Sequence, residues 1–585
     1  MIRNLSFACL FYLIANLSFS QTPQQTEHQF YFFKVWNFTK YYHPALANGT
    51  VNADTLFLRN LPLVDKIKDQ KQFIQFVASF LEDLPEVKAK GKPAAGSEKV
   101  LRNNVDHSWM GATGVKNKKK LDYIFKNRHT DSIHHYIPDV AFYGSIPNEP
   151  DYAYPDSENV PYAMRMLALA KMQGAVDYLF PHKYLMDQNF DAVVKRNLPL
   201  FADCGSRMAY ERLILEVTST FDDTHAFKII KQIKNKNKIF KNYFFPPFSY
   251  SVFDDEIVVT DCIVPENCKE GDICKGDVIM GINNKTVAAV VSDVSRLVSV
   301  SNRPTLRNYL SVYLNNLVWQ SDDASFSLRV RRDGKESVKT VSFVTGKESE
   351  KVSLITDYLN DHAAKRRTDD GLDIIQGNIA YINIHETYRF IENTPDHLMD
   401  QKMDSLLTLA ASQKGIIFDM REYPDWGGFS YTFMLKKFGK LPHRHADYFE
   451  INKAEVGTYI PDNRIKTYTN ADLKTNGVPY GGKVVIIVDP RTLSMSEWHT
   501  MSLQHTFPQS ITIGEQSAGA DGDEKFLAIP GGYHVYFTGN AIFYQDGTPA
   551  QRKGVKIDKV IPLTREAVLS GKDNLLEEAV RLIRE

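Results

Sequence analysis

Gly481–Thr500 reads GGKVVIIVDPRTLSMSEWHT. Val484–Val488 is a short apolar, β-branched run, the composition of a strand buried on both faces. Asp489, Pro490 and Arg491 end that run. A helical pattern carrying Trp498, Met501 and Leu503 follows. Ser494 stands three residues before Glu497, which is capping-box spacing. The segment therefore predicts a strand, a tight turn and a helix, with the Ser494 hydroxyl at the first turn. Unpaired N–H groups and the positive end of the helix dipole surround such a hydroxyl. A nucleophilic serine needs that setting, because the carbonyl it attacks becomes an oxyanion. Capping alone is the commoner use of a serine at this position.

The rest of the C-terminal region has the same α/β alternation. Asn378–Ile384 predicts a strand, Asp396–Ser412 a helix and Lys414–Arg421 a second buried strand. Gly427-Gly428 follow that strand, and paired glycines let backbone N–H groups approach a ligand. After the serine segment come a strand over Ser510–Gly514 and a small-residue loop, Glu515–Asp523. Tyr533–Phe537 and Ala541–Tyr544 read as a hairpin pair around Thr538-Gly539-Asn540. Asp573–Ile583 reads as a closing amphipathic helix.

The N-terminal half contains a repeat. FFKVWNFTKYYHP (Phe32–Pro44) aligns with LAKMQGAVDYLFP (Leu169–Pro181), and RNLPLV (Arg59–Val64) with RNLPLF (Arg196–Phe201), at a constant offset of 137 residues. Lys34 pairs with Lys171, Tyr41 with Tyr178, Asp54 with Asp191 and Phe73 with Tyr210. One offset held across these pairs indicates a duplicated helical unit. The second copy ends in Asp222-Asp223-Thr224-His225, whereas Lys88 stands in the first copy where His225 stands in the second. Residues 91–160, rich in Gly, Pro, Asn, Lys and Asp, read as a linker with short ordered pieces.

Residues Ser251–Gly346 change to short strands and turns. Lys275–Lys285 (KGDVIMGINNK) is a turn, an alternating strand and a second turn, and Arg332–Lys335 is a hairpin turn. This part resembles a PDZ domain, a fold that binds peptide ends by strand addition. Arg303–Trp319 stands as an insertion relative to the minimal form.

At 585 residues the chain is long enough for several cores, about three to five by length. Lys and Arg (70) balance Asp and Glu (70), so no net field favours nucleic acid or an anionic membrane. The runs Lys116–Lys120 and Lys231–Lys241 read as solvated loops. Met1–Ser20, with Arg3, an apolar stretch and Ser18-Phe19-Ser20, has the pattern of a secretory signal, which implies export to the periplasm or medium. No later stretch is long and apolar enough to predict a span. Cys262, Cys268 and Cys274 cluster without zinc-type spacing, which leaves a local disulfide or free thiols open.

Asp419-x-Arg421 with Gly427-Gly428, then VVIIVDPRTLSMSE (Val484–Glu497), then IGEQSAG (Ile513–Gly519), then Gly554-Val555-x-x-Asp558, stand in an order that resembles the carboxy-terminal processing (tail-specific) serine peptidases, tricorn-core branch included. The resemblance covers about residues 160–585. It implies a helical cap carrying His225 (151–245), a PDZ-like domain (246–350) and a crotonase-like catalytic core (365–585). With the signal peptide pattern (1–20) and an N-terminal helical domain and linker (21–150) duplicating part of the cap, both read from the residues themselves, the expectation is a multidomain α/β protein. It implies Ser494 as nucleophile in Ser494-Met495-Ser496-Glu497, with oxyanion donors on Met495, Gly427 and Gly428. Many relatives use a lysine after the G-E-x-x-x-G loop, but that position is Ala520. Thr224-His225 matches the branch that takes histidine from the cap, and an imidazole suits the proton transfer near neutral pH. The Glu that orients the ring in that branch is missing, since Gln551-Arg552-Lys553 stand there. Asp521, Asp523 and Glu515 are the substitutes, and Lys525 is an alternative base. The implied activity is exported serine endopeptidase action on peptides or unfolded protein tails, with no metal, cofactor or nucleic acid. An inactive peptide- or ligand-binding member and an esterase with the same serine are the alternatives.

Overall fold

The computed structural model describes residues 22–89, 99–138, 144–365, 372–440, 442–462 and 477–585. The signal-like stretch Met1–Ser20 lies outside the described residues. None of the described helices is long and apolar enough to cross a membrane.

The duplication is visible element by element. Helices α1 (Pro23–Tyr42), α2 (Ala53–Val64) and α3 (Gln70–Glu82) are repeated, 137 residues on, by α4 (Tyr162–Gly174, continued to Leu179), α5 (Phe190–Asp203) and α6 (Arg207–Thr218). The caps repeat too: Asn52 and Asn189 start the middle helices, and Asp69 and Ser206 start the third. The copies exchange partners across a pseudo-twofold seam. Lys34 of the first copy pairs with Asp191 of the second at 2.5 Å, and Lys171 of the second pairs with Asp54 of the first at 2.9 Å. Tyr41 stacks on its own counterpart Tyr178, ring centroids 4.7 Å apart. Asn37 faces its counterpart Gly174, where a Cβ would come within 2.2 Å of Asn37 Oδ1, so a larger residue requires the Asn37 side chain to move. One apolar core runs through both copies. They are two halves of one packed body, not a domain with an appendage.

The linker reading of 91–160 is too loose for the described part. Ser108–Thr113 and Val115–Lys126 are helical, and Glu149 is fully buried between Lys40 and Lys171. Lys116–Lys120 lies on the Val115–Lys126 helix instead of in a loop. Only Asn117 is buried, hydrogen-bonded to the Thr113 and Ile74 carbonyls, and the lysines face out.

A six-stranded antiparallel sheet follows, with β1 (Phe248–Val252), β2 (Ile257–Cys262), β3 (Val278–Ile282), β4 (Ser325–Arg332) and β5 (Lys335–Ser342) in that order and the short strand Lys285–Thr286 paired to β3 off that path. Helix α7 (Val287–Ser295) packs beside β3. The insertion forms helix α8 (Arg303–Ser311), which lies along the outer edge of β1. There the Val252 N–H donates to Ser311 Oγ at 2.8 Å. From its other end α8 reaches the C-terminal half: Asn302 donates to the Ser517 carbonyl at 2.8 Å, and Arg307 pairs with Glu515. Cys204, Cys262, Cys268 and Cys274 are free thiols.

The C-terminal half is built on β6 (Leu372–Ile375), β7 (Ile379–Asn383), β8 (Gly415–Asp419), β9 (Lys483–Val488) and β10 (Ile511–Gly514), side by side in that order, with Lys559–Val560 at the far edge. All neighbours are parallel except β6 and β7. The unbroken apolar run of β9 is explained by burial on both faces. Val484, Ile486 and Val488 pack toward α9 (Asp396–Ala411) and α10 (Met495–Thr506). Val485 and Ile487 pack toward the closing helix α11 (Asn574–Arg584).

The expected hairpin of Tyr533–Phe537 with Ala541–Tyr544 is not formed. Tyr533–Thr538 (β12) pairs with Glu524–Ile529 (β11), turning at Pro530-Gly531-Gly532, whereas Ala541–Tyr544 (β13) pairs with Ala446–Ile451. The chain parts company at Thr538, whose N–H donates to Asp223 instead of to a strand partner. The β11–β12 hairpin then leaves the α/β sheet and packs into the core of the helical copies. Tyr210 donates to the Pro530 carbonyl at 2.7 Å and Arg207 to Tyr533 at 2.9 Å.

Candidate active site

Ser494 sits between β9 and α10 with φ 55° and ψ −115°. A non-glycine residue held there stores strain of about 1–3 kcal/mol, the kind of cost found where a side chain must be presented at a sharp turn. Buried hydrogen bonds enforce the turn. Thr492 and Ser496 both donate to the Met420 carbonyl at 2.8 Å, tying the turn to the end of β8. The expected Ser494–Glu497 capping box is formed, with the Ser494 N–H donating to Glu497 at 3.1 Å.

Glu497 does more than cap. Its carboxylate also accepts from Ser517 Oγ at 2.6 Å and from the Gly519 and Ala520 N–H groups at 2.8 and 3.0 Å. Burial pushes Glu497 up to about 7, against these four donors, which favour the ionised form. Ala520, standing where many relatives carry lysine, thus contributes only its backbone. Gly427 lies against α10, a Cβ on it meeting Met495 Sδ at 3.7 Å and His499 Nε2 at 3.9 Å. Met495 opens α10, and its N–H makes no hydrogen bond among the described residues, as expected at the first helical position.

His225 is brought to this region from the other half of the chain. It lies in a short helical stretch, Thr224–Lys231, capped by Asp223, which accepts from the His225 N–H at 3.1 Å. Its neighbour Thr224 donates to the Ala518 carbonyl at 3.0 Å, and Ala518 in turn donates to the Thr492 carbonyl at 2.9 Å. The Gln516–Ala520 loop is therefore bonded on one side to the residue before His225 and on the other to the turn holding Ser494.

None of the three candidate acids makes a hydrogen bond to His225 among the described residues. Glu515 pairs with Arg307, and Asp523 accepts from Tyr448. Asp521 is buried, with Oδ2 lacking a hydrogen bond among the described residues. Instead, His225 Nδ1 lies 2.8 Å from Thr538 Oγ1, which donates to Asp223 Oδ1 at 2.9 Å. With the threonine proton committed to the carboxylate, its oxygen accepts from Nδ1–H. That fixes the tautomer and leaves Nε2 unprotonated and without a hydrogen bond among the described residues. Asp223 was hidden in plain text two residues before His225. Thr538 carries no such local signal, because only the end of β12 beside the cap brings it to the ring.

Two other groups near the site have different environments. Lys525 is buried in β11 with its stem against Gly539. His499, not singled out in the sequence, is buried on α10, and burial pushes it down to about 3, so it stays neutral and is a weak base.

Residues 378–561 match the model of Peptidase family S41. The matched part contains β7 to β10 and Ser494, and the chain is a serine-type peptidase, a hydrolase. No curated protein matches. Among solved structures, mature CPAF complexed with lactacystin is similar at 11% identity and a TM-score of 0.49, covering 72% of this chain and 98% of that one. The photosystem II D1 C-terminal processing protease is similar at 12% identity and a TM-score of 0.34, covering 72% and 97%. The tricorn protease is similar at 16% identity and a TM-score of 0.31, covering 72% of this chain and 37% of its own.

Proposed function

We propose that the protein is an endopeptidase acting on peptides or unfolded protein tails through a Ser494–His225 acyl-enzyme mechanism. Ser494 Oγ attacks the scissile carbonyl while His225 Nε2 takes its proton, and the imidazolium then protonates the leaving amine. Asp223, acting through Thr538, holds the ring and stabilises its charged form. The Met495 N–H and the Gly427-Gly428 turn receive the oxyanion. Water enters by the reverse of the same proton path and releases the acid product. The observation that carries this reading is the Asp223–Thr538–His225 relay, tied to the serine turn through the Gln516–Ala520 loop. The S41 match over 378–561 supports the peptide substrate class.

We read the sheet β1–β5 with α7 as PDZ-like and the sheet β6–β10 as crotonase-like, and Met1–Ser20 as an export signal, so that the mature chain starts at Gln21 in the periplasm or medium. The test of the mechanism is labelling with a fluorophosphonate probe. Wild type labels, and Ser494→Ala and His225→Ala do not. Labelling that survives in folded Ser494→Ala overturns the assignment.

A further inference from the structure

A peptide strand added to β1 is the way a PDZ-like domain would hold substrate, but that edge is taken. Helix α8 lies along it, and Ser311 occupies the outward Val252 N–H. A different concavity lies at the junction of the helical cap, the β domain and the catalytic half. It has a volume of about 790 Å³, within the range of ligand sites.

Its charge is unbalanced, with five arginines lining it against three carboxylates. Arg212 is paired with Glu216, Arg303 with Asp254 and Arg552 with Asp187. Arg196 and Arg296 make no ion pair among the described residues: Arg196 reaches the Gln188 side-chain oxygen, and Asp293, whose carboxylate feels Arg296, is ion-paired with Lys285. Leu200, Val298 and Leu306 also line it, and of these Leu200 is exposed. Two guanidinium groups without an ion pair lining one cavity suit a carboxylate, which the guanidinium fork binds through parallel N–H donors. The wall also contains Thr220 and Asp222, which run directly into Asp223 and His225.

We infer that this cavity is a second substrate site that holds a peptide by a carboxylate, on Arg196 and Arg296, next to the segment that carries the catalytic histidine. The inference rests on the peptidase reading for the nature of the ligand. The carboxylate can be the chain terminus or a Glu side chain, and the test separates the two.

The experiment measures fluorescence anisotropy with Ser494→Ala protein, so no turnover is involved. Three fluorescein-labelled hexapeptides are compared: one ending in leucine with a free carboxylate, its C-terminal amide, and the amide with one internal glutamate. The free acid binds at least about tenfold more tightly than the neutral amide, and Arg196→Gln/Arg296→Gln removes the difference. If the glutamate amide binds as well as the free acid, the site reads any carboxylate; if it binds like the neutral amide, the site reads chain ends. Equal binding of free acid and neutral amide, or unchanged preference in the double arginine variant with an unaltered urea midpoint, overturns the proposal. Fluorophosphonate labelling of wild type is scored separately. Its loss with binding intact defeats the mechanism alone, and its retention without a carboxylate preference defeats this site alone.

Discussion

Thr538 carries the mechanism's least obvious burden. Among the described residues its hydroxyl bridges the His225 ring and the Asp223 carboxylate, which stand 3.7 Å apart directly. Thr538→Val therefore lowers kcat by about 10- to 100-fold with little change in KM, whereas Thr538→Ser keeps most activity. Steady-state kinetics on one peptide substrate check both. Glu497 gives a prediction in pH. Its carboxyl lies at about 7 in the fold against 4.5 for an ordinary glutamate. Between those values the unfolded chain has released a proton that the folded chain retains, so this group erodes stability as pH rises from 4.5 to 7. The effect is on the order of 3 kcal/mol. Urea midpoints at pH 5 and pH 7.5 fall more steeply with pH in wild type than in Glu497→Gln. At this scale the sequence was informative where chemistry is local. Ser494, its capping partner and His225 stand in short recognisable strings. The contacts of the His225 ring were less legible, because Asp223 is two positions away but Thr538 is 313 positions away and meets the ring only through the fold.

Among the elements, α8 has the widest reach. It covers the β1 edge with Ser311 and grips the Gln516–Ala520 loop with Asn302. Phe227, two residues after His225, packs against Tyr309 of the same helix, the tilted rings 4.1 Å apart between centroids. Removing the Ser311 hydroxyl strands a Val252 N–H, so Ser311→Ala costs about 1 kcal/mol. Hydrogen exchange at Val252 quickens with it, while exchange at β4 and β5 does not change. The strands of the catalytic sheet and the helical repeats were readable because period and composition decide them. The partners of β12 and β13 were not, because two short strands separated by a glycine-containing turn look like a hairpin whether or not their neighbours compete for them.

For the molecule as a whole, the decisive feature is the seam between the helical copies. Glu149 is fully buried and serves both Lys40 and Lys171. Neutralising it leaves Lys40 without its carboxylate in a dry interior. Glu149→Gln therefore costs about 3–5 kcal/mol, more than truncating any of the exposed ion pairs, and thermal or urea unfolding measures it. The seam also constrains synthesis. Tyr41 leaves the ribosome 137 residues ahead of Tyr178, the ring that covers it. Throughout that interval an aromatic surface waits for a counterpart further along the same polypeptide. A neighbouring nascent chain can supply an identical counterpart, so intertwined dimers are the misassembly this architecture invites, and slow delivery of the second copy is what promotes them.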